Sequence, residues 1–179
     1  MHPDFTVPSA GPQAPVIPTI AVAHVLSAAA PVHAAGCVPW PDLVRLVSAH
    51  TVGPKEGPGW LAADVDPGPR QAARVRGYGA LVLDIEAATS APGADGLRRV
   101  LGPLPPSIDD VAALLAAPFG LAAAIASTHS HEAPAADGGT LGPRYRVVIP
   151  LSRPVLAHEL RALGLHLAAV LGLNNCFDP

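Results

Sequence analysis

Large side chains are scarce in this 179-residue chain: only 4% of it is aromatic. Any core must therefore be assembled from Val, Leu, Ile and Ala, and Ala alone fills 34 positions. Cysteine is nearly absent. Cys37 and Cys176 are too few for a disulfide scaffold or a four-thiolate zinc site. A single bridge between them stays open, but they read by default as reduced thiols of a cytoplasmic protein. Lysine is rarer still, Lys55 being the only one among eleven basic residues. The net charge of −3 excludes a uniformly basic coat for nucleic acid, though not a local basic site. No apolar run reaches the roughly 18 residues that cross a bilayer. No Lys or Arg precedes the lipoprotein-like stretch Ala34-Ala35-Gly36-Cys37, so no secretion signal is expected.

Proline and glycine are abundant instead, 22 and 17 residues, where an average chain devotes roughly 12% to the two together. They divide the sequence into short elements. Residues 1–15 read as a disordered, Pro-rich lead-in. A first strand is expected over Val16–Leu26 and a helix over Pro41–His50, where Leu43, Val44, Leu46 and Val47 have helical spacing. Thr51–Pro69 reads as a loop anchored by Trp60. Ala80–Ile85 has the length and apolarity of a buried central strand. Ser107 and Asp110 form a capping start for a helix over Ile108–Ala117. Strands are expected over Leu121–Thr128 and Arg144–Leu151, a hairpin-like connection over Glu132–Gly142, and a last helix over Leu156–Leu171. Together these predict a single α/β (α+β) unit with a mixed sheet flanked by helices, spanning residues 16–179.

Three clusters of polar residues carry chemistry. At the end of the apolar strand stand Asp84 and Glu86. Residues i and i+2 of a strand project to one side, so the two carboxylates repel each other unless a cation lies between them. Oxygen donors of this kind suit Mg²⁺ or Mn²⁺. The plainer alternative is a strand end whose next residues are solvated. Ser127, His129 and His131 would share one face if their segment continued as a strand. There an imidazole beside a hydroxyl binds phosphate, ligates a metal or acts as a base. Arg144 and Arg146 fall on one face of the following strand, with Arg153 beyond, and guanidinium forks match phosphate oxygens. Arg70, Arg74 and Arg76 form a further basic cluster, read first as a solvated patch.

In order, LVLDIE, Ser127-Thr128-His129, the Arg144-Tyr145-Arg146 strand and a late Asp178 resemble the motifs of the archaeo-eukaryotic primase superfamily. The stretches THSHEAP and PRYRVVIPLSRPV look especially like the primase-polymerase domains of plasmid and phage replication proteins. So does the upstream region, with its Trp40-led helix and a loop holding Lys55, Gly57 and Trp60. The resemblance implies an RRM-like catalytic core performing nucleotidyl transfer with two divalent ions, Mg²⁺ or Mn²⁺, held by Asp84, Glu86 and Asp178. It implies that His129 contacts the incoming triphosphate with Ser127 supporting it, and that Arg144, Arg146 and Arg153 neutralise phosphate. The implied partners are nucleoside triphosphates, a single-stranded DNA template, with Arg70, Arg74 and Arg76 as candidate contacts, and a helicase domain or subunit. No membrane is implied. Because the family continues beyond its third motif, the resemblance also implies a catalytic domain cut short at its C-terminus.

Two other readings compete. His129-Ser130-His131 resembles the H-x-H core of rolling-circle nucleases and relaxases, which cleave DNA with a tyrosine; Tyr78 and Tyr145 are the only two here. The other is a non-catalytic replication-protein domain that binds DNA.

Overall fold

The computed structural model describes residues 17–27, 29–49, 58–118, 120–128 and 131–173. The expected lead-in, Lys55, His129, Cys176 and Asp178 lie outside the described residues. In chain order the elements are β1 (Thr19–Val25), β2 (Val32–Pro39), α1 (Trp40–Ser48), β3 (Gly59–Leu61), β4 (Ala63–Val65), β5 (Val75–Ile85), α2 (Ile108–Ala116), β6 (Ala124–Ser127), β7 (Tyr145–Val155) and α3 (Ala157–Val170). They form a mixed α+β structure with a three-stranded sheet ordered β2-β1-β3 and a four-stranded sheet ordered β4-β5-β7-β6. The expected mixed sheet is corrected: every pairing between these strands is antiparallel.

The central strand β5 is apolar on both faces because both are covered. Leu81, Leu83 and Ile85 alternate onto one face, where they meet Tyr145, Val147 and Ile149 of β7 and Val111, Leu115 and Ala168 of α2 and α3. On the other face Ala80 packs with Val148, with Ile20 and Val22 of β1 and with Leu43 of α1. With so few aromatics, these aliphatic layers carry the burial. The fully buried Tyr145 ties the sheet to the start of α2, its hydroxyl donating to the Pro106 carbonyl at 2.8 Å.

The helices follow the expected boundaries closely. Ser107 accepts from the Asp110 N–H at 3.1 Å, and the Asp110 carboxylate accepts in return from the Ser107 N–H at 3.3 Å, the reciprocal cap that the S-x-x-D spacing predicts. At α3 only one half of such a box exists, since Leu156 has no side-chain acceptor. The Glu159 carboxylate accepts the Leu156 N–H at 2.9 Å and a 2.7 Å bond from the Arg153 guanidinium.

The Arg153 hydrogen bond, then that backbone bond, hold the Glu159 carboxyl at about 2 rather than its ordinary 4.5. A depressed folded value stabilises above the unfolded one, so this contribution is complete above pH ~4.5 and is lost as pH falls through about 2. Comparing wild type with Glu159→Gln by denaturation between these limits should show a shallower acid-side decline in the variant.

The strands depart more from the sequence reading. β5 starts at Val75 rather than Ala80, running through Gly77 and Gly79. A Cβ on Gly79 would stand 3.1 Å from the Ala21 backbone nitrogen, so glycine is what lets β1 cross close over β5. β7 continues past Leu151 to Val155 despite Pro150 and Pro154. Its register jumps from Pro150, opposite Ala80, to Val155, opposite Tyr78, so the segment between them bulges out of the ladder and the prolines leave few bonds unmade. The expected loop over Thr51–Pro69 contains β3 and β4, and β2 was not expected at all. No helix among the described residues is long and apolar enough to cross a membrane.

Candidate functional site

The face of the four-stranded sheet that packs on β1 and α1 changes character along its length. Ala80 and Val148 are buried. Further along the same face, past the Val82–Val148 pair, stand the half-exposed Asp84 and Arg146, then Glu86 and Arg144 just beyond the ladder. Asp84 and Arg146 are direct cross-strand partners. The guanidinium grips the carboxylate with both arms, Nε to Oδ1 at 2.6 Å and Nη2 to Oδ2 at 3.3 Å. Arg144 Nη2 donates to Glu86 Oε2 in a parallel ion pair. The expected pairing of the two carboxylates on one side, and of the two arginines on one side, therefore holds in the structure. What was not expected is that each set answers the other: Asp84 and Glu86 are neutralised by protein guanidinium groups.

The two pairs differ in how firmly they are held. Asp84 and Arg146 side chains are 48% and 58% exposed, and exposed pairs contribute only ~0–1 kcal/mol. The Arg144 side chain is 11% exposed, and its Nε is buried without a hydrogen-bond partner. Its backbone is clamped from both sides. Thr128 N–H donates to the Arg144 carbonyl at 2.9 Å, and the Arg144 N–H donates to His131 Nδ1 at 3.1 Å. His131 Nδ1 also lies 3.2 Å from the Arg144 carbonyl, so the imidazole faces both polar groups of that residue's backbone. Sequence reasoning missed this role for Thr128 and His131. The signal was available in the glycines of Asp137-Gly138-Gly139 and Gly142, which turn the chain back so that residue 131 meets residue 144.

The remaining candidates fall elsewhere. Ser127 is the last residue of β6 and lies opposite Tyr145. Its position therefore belongs to the face covered by α2 and α3, away from Asp84. The strand expected over Leu121–Thr128 runs over Ala124–Ser127 and does not continue to His131, so Ser127 and His131 do not share a strand face; His129 lies outside the described residues. Arg153 sits in the β7 bulge and is spent on Glu159. That bulge lies opposite Gly79, five residues along β5 from Asp84, or roughly 17 Å at ~3.4 Å per residue. Of the upstream basic cluster, Arg76 pairs with Asp64 at 2.9 Å and Asp66 at 3.5 Å, and Arg74 donates to the Asp66 and Pro67 carbonyls.

Two carboxylates on one face are hard-oxygen donors that suit a divalent ion. Among the described residues no group of three or more His, Cys, Asp or Glu is placed to hold one, and Asp178 lies outside them. The donors among the described residues thus fit a cation through Asp84 and Glu86 alone. Against family models, curated proteins and solved structures, the chain has no match.

Proposed function

We propose that the chain is a DNA primase-polymerase domain of the archaeo-eukaryotic primase superfamily, of the kind found in plasmid and phage replication proteins. Its reaction would be nucleotidyl transfer from nucleoside triphosphates on a single-stranded DNA template. One observation carries the reading: Asp84 and Glu86 share β5 and its continuation, while both guanidinium groups belong to β7 and the residue before it. Like charges two residues apart on one face repel, and alternating the signs would relieve both strands. Grouping the carboxylates is what a cation site needs and what stability alone disfavours.

The order of elements supports an RRM-like core. β5-α2-β6-β7-α3 follows a split β-α-β-β-α pattern, with β7 between β5 and β6. Both helices pack on the face opposite Asp84 and Arg146, leaving the polar end of the sheet open. Asp84 and Glu86, with Asp178 as third carboxylate, would hold Mg²⁺ or Mn²⁺, which supplies Lewis-acid activation of a 3′-hydroxyl and charge neutralisation at the pyrophosphate. Arg146 is the exposed fork available to triphosphate oxygens. Arg144 is the fixed charge beside it, oriented by Thr128 and His131. The nuclease alternative loses support at Tyr145, which is fully buried and hydrogen-bonded to Pro106.

The test is incorporation of labelled nucleotide on a primed single-stranded template with Mn²⁺ or Mg²⁺, by wild type and Asp84→Ala. Incorporation by wild type that Asp84→Ala abolishes is the expected result. Incorporation that survives Asp84→Ala overturns the proposal. DNA nicking with a covalent tyrosyl adduct would instead establish the nuclease, and template binding without incorporation the non-catalytic domain.

A further inference from the structure

We infer that Arg146 is a displaceable counter-ion, which neutralises Asp84 in the ligand-free protein and passes to the triphosphate when a divalent cation takes its place. Cation and triphosphate then bind with positive coupling. This rests on the nucleotidyl-transfer reading and concerns how the same site is loaded.

The geometry of the two ion pairs assigns the roles. Arg146 occupies both oxygens of Asp84, so a cation reaches that carboxylate only by moving the guanidinium aside. Both partners are half exposed, which leaves the long Arg146 side chain free to swing on its stem. Its planar fork fits a phosphate as well as a carboxylate. Arg144 cannot do the same, because its side chain is buried and Thr128 and His131 clamp its backbone. One arginine therefore moves while the other stays. The four groups together are neutral, so the cluster strongly attracts neither a cation nor a polyanion alone. A cation on Asp84 releases a positive group for the triphosphate, and a triphosphate that draws Arg146 away bares Asp84 for the cation. The two effects are the same coupling seen from each ligand.

The experiment uses the full chain, with Mn²⁺ binding followed by the paramagnetic resonance of free Mn²⁺, with and without a non-hydrolysable ATP analogue. For wild type the analogue should tighten Mn²⁺ about tenfold, within the usual range of such couplings. Arg146→Gln should bind Mn²⁺ alone about tenfold more tightly than wild type and show little further gain from the analogue. Arg161→Gln, which removes an equal charge from the exposed side of α3, should behave as wild type. Equal Mn²⁺ affinity in wild type and Arg146→Gln overturns the exchange, as does an equal gain in Arg161→Gln. Mn²⁺ uptake that Asp84→Asn leaves unchanged overturns the nucleotidyl-transfer reading and the exchange with it.

Discussion

Exchanging the two partners of the central pair, Asp84→Arg together with Arg146→Asp, should leave the protein as stable as wild type and without nucleotide incorporation. The positions face each other across the β5–β7 ladder, so the reversed pair can form across the same gap. Its surroundings improve. The new guanidinium stands two residues from Glu86 and the new carboxylate two residues from Arg144, which turns two like-charge neighbours into an alternating set. Each single substitution instead places like charges face to face and should be the less stable form. Incorporation should follow a different order. On the proposed nucleotidyl-transfer reading, removing the carboxylate that would hold a catalytic ion forfeits several kcal/mol of transition-state stabilisation, about a thousandfold in rate at ~1.4 kcal/mol per factor of ten. Restoring the ion pair does not put a carboxylate back on β5. Denaturant midpoints and incorporation rates on the four proteins decide the matter: activity recovered by the double exchange would make the pair purely structural.

The parts of this protein visible from sequence are those where local chemistry and tertiary environment agree. ALVLDI is apolar at every position before Asp84 because β1 and α1 lie on one face and α2 and α3 on the other. The Ser107–Asp110 cap needs only residues three apart. β2 was invisible for the opposite reason. Its exposed Ala34, Ala35, Gly36 and Cys37 carry no strand preference, and they are extended only because β1 pairs along them. The first five residues of β5 were missed because Gly77 and Gly79 break the apolar alternation to admit a neighbouring backbone.

The same division runs through the site. That Asp84 and Glu86 share a side follows from the period of a strand, and so does the match between Arg144 and Arg146. Their mutual neutralisation depends on β5–β7 register, which no local pattern states. Ser127 illustrates the hazard: a one-residue difference in where β6 lies against β7 moves a side chain to the opposite face.

Leu83→Ala tests whether the layer beneath the site is the element that holds the domain together. Leu83 is fully buried on β5, opposite Val147, against the side chains of α2 and α3. Deleting most of such a side chain costs ~2–5 kcal/mol, because the burial is lost and the cavity left behind collapses only partly. A domain of this size is stable by roughly 5–15 kcal/mol, so the loss is a large fraction of the whole. Leu101→Ala, at an exposed position, should stay within ~0.5 kcal/mol of wild type. Urea denaturation should give a much lower midpoint for Leu83→Ala with an unchanged slope, since the same surface is exposed on unfolding. Leu83 precedes Asp84 but points to the opposite face of the sheet. Under conditions where Leu83→Ala is fully folded, incorporation per molecule should therefore match wild type. A variant that is folded yet inactive would mean that the apolar layer sets the geometry of the Asp84–Arg146 pair as well as the stability of the sheet.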